Sequence, residues 1–153
     1  MGAKTLIRPA TKLYDEDFVE WAFETTRLLR ARQFEELDVE HLAEEIEDMA
    51  KRDKREMSSR LRVLIKHLLK WQHQAGKRSG SWQSTIITQR AAIEQVLEQS
   101  PSLRRMVPAS VARVYRDAAQ AAAAETGLPA ESFPRDCPFS AEQILDRTFL
   151  PGR

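Results

Sequence analysis

Residues 37–74 read LDVEHLAEEIEDMAKRDKREMSSRLRVLIKHLLKWQHQ, and this stretch decides the fold. It contains neither glycine nor proline, and its apolar residues recur at steps of three and four. This spacing predicts one face of a single long α-helix. Asp38 is a favourable N-cap for it and Gly76 a favourable stop. The face consists of Leu42, Ile46, Met49, Met57, Leu61, Leu64, Leu68, Trp71 and Ala75, with Asp53 in the one gap.

The two halves of this helix differ in character. From Leu42 to Met57 the apolar face is narrow, and charges surround it at spacings that favour the ion pairs Glu47–Lys51 and Asp48–Arg52. From Leu61 to Trp71 the apolar arc is much wider. We therefore expect the second half to lie in the core, and the first half to project or to pair with another copy of the chain.

Three further helices are predicted around the long one. Asp15 is placed to cap a helix over residues 16–33, and Ser81 a helix over residues 82–99. Ser100-Pro101 and Pro108 predict a short helical turn and a kink before a last long helix, which Gly127 ends. The residues expected to face inward are Phe18, Trp21, Ala22, Thr25, Leu28 and Leu29 in the first of these helices, and Trp82, Ile86, Ile93, Val96 and Leu97 in the second.

The chain after Gly127 is rich in proline, which predicts an extended path over the helices. Ser140 and Gln143 have the spacing of a capping box and predict a short helix that reaches about Arg147. The predicted fold is all-α: an up-and-down bundle of four main helices, with a very long second helix and a Pro-rich C-terminal tail that ends in a short helix. Residues 1–13 are expected to form a flexible arm and residues 14–153 a single helical domain.

Composition excludes several broad classes of protein. The chain has 153 residues and a formal net charge of +1, so its total charge gives no argument for nucleic acid or membrane. No apolar run approaches the roughly 20 residues that span a bilayer, and the N-terminus lacks the apolar core of a signal peptide. The lone Cys137 cannot form an internal disulfide or a Cys-rich zinc site. We expect a cytoplasmic protein without a cofactor.

Charge is distributed unevenly along the chain. Between Asp15 and Asp48 there are 13 acidic residues against three arginines, a balance of −10. Between Lys51 and Arg90 there are 11 basic residues against two acidic ones, a balance of +9. One interpretation is that the two segments neutralise each other or suit the dipole of the long helix. The alternative is that segment 51–90 is a docking face for nucleic acid or another anionic ligand.

A metal site is the first chemistry to test in a helical bundle. The Glu-x-x-His pattern of di-iron bundles is absent from this sequence. Candidate metal ligands share one face of the long helix at spacings of 0, 3, 4 and 7: His41, Glu44, Glu45 and Asp48. These four residues fit the metal site of a metal-dependent enzyme, and they fit a solvated charged helix face equally well.

Polar and aromatic residues also gather near the turn that follows the long helix. The candidates for binding an anion or a nucleic acid there are His67, Lys70, Trp71, Lys77, Arg78, Ser81, Trp82 and Arg90. In the alternative interpretation, the two tryptophans anchor the turn, His67 is a hydrogen-bonded histidine at the edge of the core, and Arg90 pairs with an acid of the first helix. The sequence contains no catalytic motif and no Gly-x-Ser-x-Gly elbow, so we predict no catalytic residue.

Several motifs in a fixed order resemble a known family. They cover the chain from about Leu13 to Pro151 and resemble the bacterial domain-of-unknown-function family numbered 29. The resemblance implies a compact, all-helical bacterial protein and carries no activity, substrate or catalytic residue with it. The motifs are Tyr14 to Phe18 with Trp21 and Leu28 to Arg30, His41 to Asp48, His67 to Trp71 with Ser81 and Trp82, Ser100 to Leu103, and the pairs Leu128-Pro129, Phe133-Pro134 and Cys137-Pro138.

Together these patterns favour a non-enzymatic interaction module that self-associates. The charged first half of the long helix is the expected interface of a homodimer, and another protein is an alternative partner. Binding of nucleic acid or an anionic ligand by segment 51–90, and metal-dependent catalysis by the face that begins at His41, are the two other hypotheses.

Overall fold

A computed structural model describes residues 10–152, with side chains described from residue 12 onward. These residues form α-helices and short 3₁₀ turns and contain no strand, so the fold is all-α, as predicted. None of these helices combines the length and apolar content that a bilayer crossing requires. The α-helices are α1 (Ala10–Glu16), α2 (Phe18–Arg30), α3 (Val39–His73), α4 (Gly80–Gln99), α5 (Val107–Thr126) and α6 (Ala141–Leu145).

The long helix α3 confirms the central prediction. Its 35 residues begin directly after Asp38, whose carboxylate accepts a hydrogen bond from the backbone N–H of His41 at 3.4 Å. The helix ends at His73, and Gly76 lies in the 3₁₀ turn Ala75–Lys77 that follows. The chain divides between Lys51 and Arg52 into two compact units, called unit 1 and unit 2 below.

Unit 1 contains α1, α2 and the first third of α3. The predicted flexible arm lies mostly outside the described residues, but α1 begins at Ala10, before the expected boundary at residue 14. The predicted cap Asp15 is wrong because that residue lies inside α1. Asp17 caps α2 instead, and its carboxylate accepts a hydrogen bond from the N–H of Glu20 at 2.9 Å.

The inward face of α2 is narrower than the sequence predicts. Trp21, Thr25 and Leu28 are buried as expected. Phe18 and Leu29, also predicted to face inward, are 49% and 40% exposed, so that part of the prediction is wrong. The periodicity of a helix predicts the direction in which a side chain points, but tertiary packing decides whether anything covers it.

In unit 2, α3 and α4 run antiparallel. Asp53 near the start of this part of α3 contacts Ser100 directly after α4, and Lys70 near the end of α3 lies over the ring of Trp82 at the start of α4. Ser100-Pro101 was predicted to begin the next helical turn, with Ser100 as the N-cap. That prediction is confirmed, because Ser100 is the N-cap and Pro101 begins the turn. The Ser100 hydroxyl itself donates to the Asp53 carboxylate at 3.4 Å.

The helix α5 runs parallel to α3. Arg113 in the first half of α5 donates to the Ser58 hydroxyl at 2.9 Å, and Glu125 at the end of α5 accepts from Lys66 at 2.6 Å. Three long helices therefore run up, down and up in unit 2, which is the antiparallel order that short connections favour. Gly127 ends α5 in the left-handed conformation with φ 71°, as predicted.

The core of unit 2 comes from all three helices and the tail. The inward-facing apolar side chains of α3 from Met57 to Leu69 have no exposed surface, and Ala118 and Ala122 let α5 approach closely. Met57 was predicted to belong to the projecting half and instead has no exposed surface. The shared buried residues include Met57, Leu61, Leu64, Ile65, Leu68, Leu69, Trp71, Ile86, Ile93, Val96, Leu97, Val111, Tyr115, Phe133, Phe139 and Ile144.

The proline-rich tail packs on this core as the sequence predicts. Phe133 and Phe139 are buried, and the hydroxyl of Tyr115 in α5 donates to the carbonyl of Pro134 at 2.7 Å. The predicted capping box is present: the Ser140 hydroxyl accepts from the N–H of Gln143, and the Gln143 side chain accepts from the N–H of Ser140. The tail is therefore a structural part of unit 2.

Candidate functional site

Two lysines of α3 meet one carboxylate of α5 beside the predicted turn site. Glu125 accepts a hydrogen bond from Lys66 and another from Lys70, each at 2.6 Å. Burial on its own would raise the pKa of Glu125, but these hydrogen bonds and the two positive charges lower it to about 2. The Lys70 ammonium also lies 4.4 Å from the centroid of the Trp82 ring, a distance at which a cation is attracted to the ring face. Lys70 is therefore occupied by partners within the chain.

Arg78 stabilises the turn after α3 by hydrogen bonds to the last turn of α3 and to the C-terminal tail. Its Nε donates to the carbonyl of Trp71 at 2.9 Å, and its Nη2 donates to the carbonyl of Pro151 at 3.4 Å. The guanidinium carbon lies 5.1 Å from the centroid of the Trp71 ring. These contacts fit the hypothesis that the tryptophans anchor the turn, because Trp71 is buried and Arg78 packs on it.

Arg90 is buried within α4 and caps the C-terminal end of α6. Its Nε donates to the carbonyl of Ile144 at 2.8 Å and its Nη2 to the carbonyl of Gln143 at 3.3 Å. Burial lowers the pKa of Arg90, and the charge of Asp146 acts in the opposite direction. The prediction that Arg90 pairs with an acid of the first helix is wrong. A guanidinium satisfies the last carbonyls of a helix, which have no partner within it.

The other candidates near the turn do not converge on one point. His67 is half-buried, and its Nδ1 donates to the carbonyl of Val63 at 2.8 Å, while burial lowers the pKa of the ring. Lys77 and Ser81 are exposed. Ser81 was predicted to cap α4, but that prediction is wrong: Ser79 is the cap, and its hydroxyl accepts from the N–H of Trp82 at 3.3 Å.

The candidate metal face lies in unit 1 and is engaged by α1. His41 Nδ1 lies 2.5 Å from the Asp38 carboxylate, and Tyr14 stacks on the His41 ring with centroids 3.9 Å apart. The Tyr14 hydroxyl donates to Glu45 at 2.6 Å, and this hydrogen bond to a carboxylate, with burial, raises the pKa of Tyr14 to about 12. The hydrogen bond to Asp38 raises the pKa of His41.

The remaining candidates of that face, Glu44 and Asp48, are exposed. Within residues 10–152 no three His, Cys, Asp or Glu side chains are grouped in a way that could hold a metal ion. The contacts of Tyr14 give His41 and Glu45 a packing role in unit 1. Local spacing does not predict this contact of Tyr14, because its partner Glu45 lies 31 residues away along the chain.

Nearly the whole chain matches one known protein family. The family model described as Domain of unknown function DUF29 matches residues 13–150. This chain belongs to the DUF29 family. Searches of curated proteins and of solved structures found no match to it. The DUF29 match covers the described parts of both units from Leu13 to Leu150, so the caps and core contacts above all lie within the family region.

A shallow concavity lies between α5 and the tail within the DUF29 region. Its volume is about 330 Å³, and its floor includes Val111, Tyr115 and Phe139. Cys137 lines it and packs against the core, and burial raises the pKa of its thiol. A thiol with a raised pKa stays protonated near neutral pH and is a poor nucleophile.

Proposed function

We propose that this DUF29 protein is a non-enzymatic interaction module that self-associates through the first half of α3. The single observation that supports this is an apolar helix face that starts exposed and ends buried. This part consists of the exposed residues Val39, Ile46 and Met49 with the half-buried Leu42, and is called the α3 stripe below. Ile46 is 60% exposed and Met49 58%, whereas Leu61 farther along the same face has no exposed surface.

The α3 stripe lies on the same side of α3 as the residues buried in unit 2, and this alignment supports a partner for it. The steps from Ile46 to Met49, Asp53, Met57 and Leu61 are three or four residues, so one continuous line of side chains runs along the helix. Within unit 2 the line packs on α4 and α5. An apolar line that continues along the same helix face beyond the residues covered by α4 and α5 is typical of a surface that a partner covers.

The rest of unit 1 shows the same excess of exposed apolar surface. Among the described residues, only Leu13, Trp21 and Leu28 are buried hydrophobic side chains of this unit. Eight large hydrophobic side chains of unit 1 are at least 40% exposed: Phe18, Val19, Phe23, Leu29, Phe34, Val39, Ile46 and Met49. Burial of such side chains is favourable by roughly 25 cal/mol per Å², so association would stabilise this unit.

The test is a comparison of two arginine substitutions at equally exposed positions. Met49→Arg places a charge in the α3 stripe, and Ile87→Arg places the same charge at a 58% exposed position of α4. We expect the parent protein and Ile87→Arg to have twice the mass of one chain in light scattering, and Met49→Arg the mass of one chain. Far-ultraviolet circular dichroism checks that both variants keep their helices.

A parent protein with the mass of a single chain at high micromolar concentration would contradict the proposal. So would a Met49→Arg variant that keeps the parental mass. Met57 is unsuited to this test because it is part of the core of unit 2, where arginine would disrupt folding.

A further inference from the structure

The α3 stripe has the spacing of a coiled-coil seam. Val39, Leu42, Ile46, Met49 and Asp53 alternate in steps of three and four, which is the a and d pattern of a heptad repeat. In such a pair, each a or d side chain packs into a space between four side chains of the facing helix. The spacing therefore favours another helix as the occupant of the α3 stripe.

The residues that flank the α3 stripe differ between its two sides. On one side, the positions before Val39, Ile46 and Asp53 hold Asp38, Glu45 and Arg52. Asp38 is buried and contacts His41, whereas Glu45 and Arg52 carry opposite charges on the accessible part of this flank. On the other side, the position after each d residue holds Ala43 and then Ala50. One flank is therefore charged with both signs, and the other is small and neutral.

The flanking residues select the relative direction of two identical helices. In a parallel pair, the flank before a of one helix faces the flank after d of the other, so Glu45 would face Ala50 of the second copy. In an antiparallel pair, like flanks face each other, and Glu45 of each copy would face Arg52 of the other. Only the antiparallel pair places opposite charges together, and it does so twice by symmetry.

Both groups are available for this pairing. Arg52 is exposed, and no hydrogen bond or ion pair to it occurs among the described residues. The predicted Asp48–Arg52 pair is absent because Asp48 lies near Lys51 instead, at 3.9 Å. The Oε1 of Glu45 accepts from Tyr14, which leaves Oε2 as an acceptor on the same flank.

We propose that two copies of the chain pair through antiparallel α3 stripes, with Ile46 of each copy packed on Met49 of the other. The two-fold axis then passes between residues 47 and 48, and each Glu45 faces the partner's Arg52. This inference rests on the proposed function and adds the identity and direction of the partner helix.

The first test is a charge-reversal cycle that measures the dimer dissociation constant by sedimentation equilibrium. Glu45→Arg and Arg52→Glu each place like charges together twice, so we expect each to raise the constant by roughly three- to tenfold. The double variant restores opposite charges and returns the constant to near the parental value. Glu44→Arg, on the opposite side of α3, is the control and leaves the constant unchanged within about twofold.

The second test does not alter these charges and applies even where Glu45→Arg perturbs unit 1. A spin label on Val39→Cys in a Cys137→Ala background reports the distance between copies. In the antiparallel pair the labels are about 17 residues apart along the helix axis, or roughly 25 Å. In a parallel pair the labels lie side by side, within about 15 Å.

The outcomes separate this inference from the proposed function. Rescue by the double variant and a long label distance support the antiparallel pair. A dimer with a short label distance, or without rescue, overturns the antiparallel pair while self-association stands. A parent protein that stays monomeric overturns both.

Discussion

Glu125 is the residue that neutralises two lysines of α3. Because its pKa is lowered to about 2 in the folded chain and is near 4.3 in an unfolded one, its charge stabilises the folded state above pH ~4.3. That contribution is lost as the pH falls toward 2. The side chain of Glu125 is 41% exposed and that of Lys70 only 8%, so solvent screens part of the interaction.

We predict that Glu125→Gln lowers the free energy of unfolding at pH 7 by about 1–2 kcal/mol, because Lys70 keeps its charge and loses its partner. At pH 2.5 the deficit should be much smaller, since the carboxylate is then protonated in the unfolded chain and partly protonated in the folded one. Urea denaturation at both pH values measures this. Glu131→Gln, at an exposed position with no described partner, is the control and should match the parent. Equal deficits at both pH values would contradict the predicted linkage.

Arg90 illustrates what local sequence can and cannot predict about a buried charge. Its position within the apolar face of α4 predicts burial, and it is only 4% exposed. Its acceptors, the carbonyls of Gln143 and Ile144, lie more than 50 residues away along the chain. The partner of a buried charge depends on which segments fold against each other, and helix periodicity holds no information about that.

At the scale of elements, two glycines follow helices but have different backbone requirements. Gly127 has φ +71°, a conformation that costs other residues roughly 1–2 kcal/mol. Gly76 lies in the turn after α3, and its φ is outside that region. A Cβ at either position meets no atom within 4 Å, so steric crowding is the same in both cases.

We predict that Gly127→Ala lowers the free energy of unfolding by about 1 kcal/mol, because alanine is strained in the left-handed region. Gly76→Ala should leave it unchanged or raise it by a few tenths of a kcal/mol, since alanine reduces the entropy of the unfolded chain. Denaturant titration of the two variants measures both effects. A Gly127→Ala variant as stable as the parent would contradict a required left-handed cap.

Helix α3 shows that one element can have two environments. Its length, its Asp38 cap and its apolar face follow from local spacing, and the structure confirms them. The exact residue at which the face becomes buried does not follow from spacing. Ile46 and Met57 lie on the same line, and packing of α4 and α5 covers only the second.

At the scale of the whole molecule, burial is concentrated in unit 2. Apart from Leu13, Trp21 and Leu28, the described buried hydrophobic residues all belong to this unit. Local opening costs less free energy where few apolar contacts hold a segment. The two ends of α3 therefore differ in local stability although they form one helix.

We predict that amide hydrogen exchange in dilute protein is faster in residues 39–51 than in residues 57–71, by at least about 100-fold. If the α3 stripe pairs with a second copy, higher protein concentration should slow exchange in residues 39–51 and leave residues 57–71 unchanged. Exchange detected by mass spectrometry on peptides from each segment measures both. Uniform protection along α3 at all concentrations would contradict this picture.

The sequence by itself determined the helices, several of their ends and much of the core. Steps of three and four residues, the Ser140–Gln143 box and the glycine after α5 act within one turn of helix, so the local sequence contains the information they need. Only the tertiary structure decided which faces are covered, that Tyr14 engages His41 and Glu45, and that Glu125 pairs with Lys66 and Lys70. These contacts join residues from 27 to 59 positions apart, and only the folded chain selects among the many pairings that such separations allow.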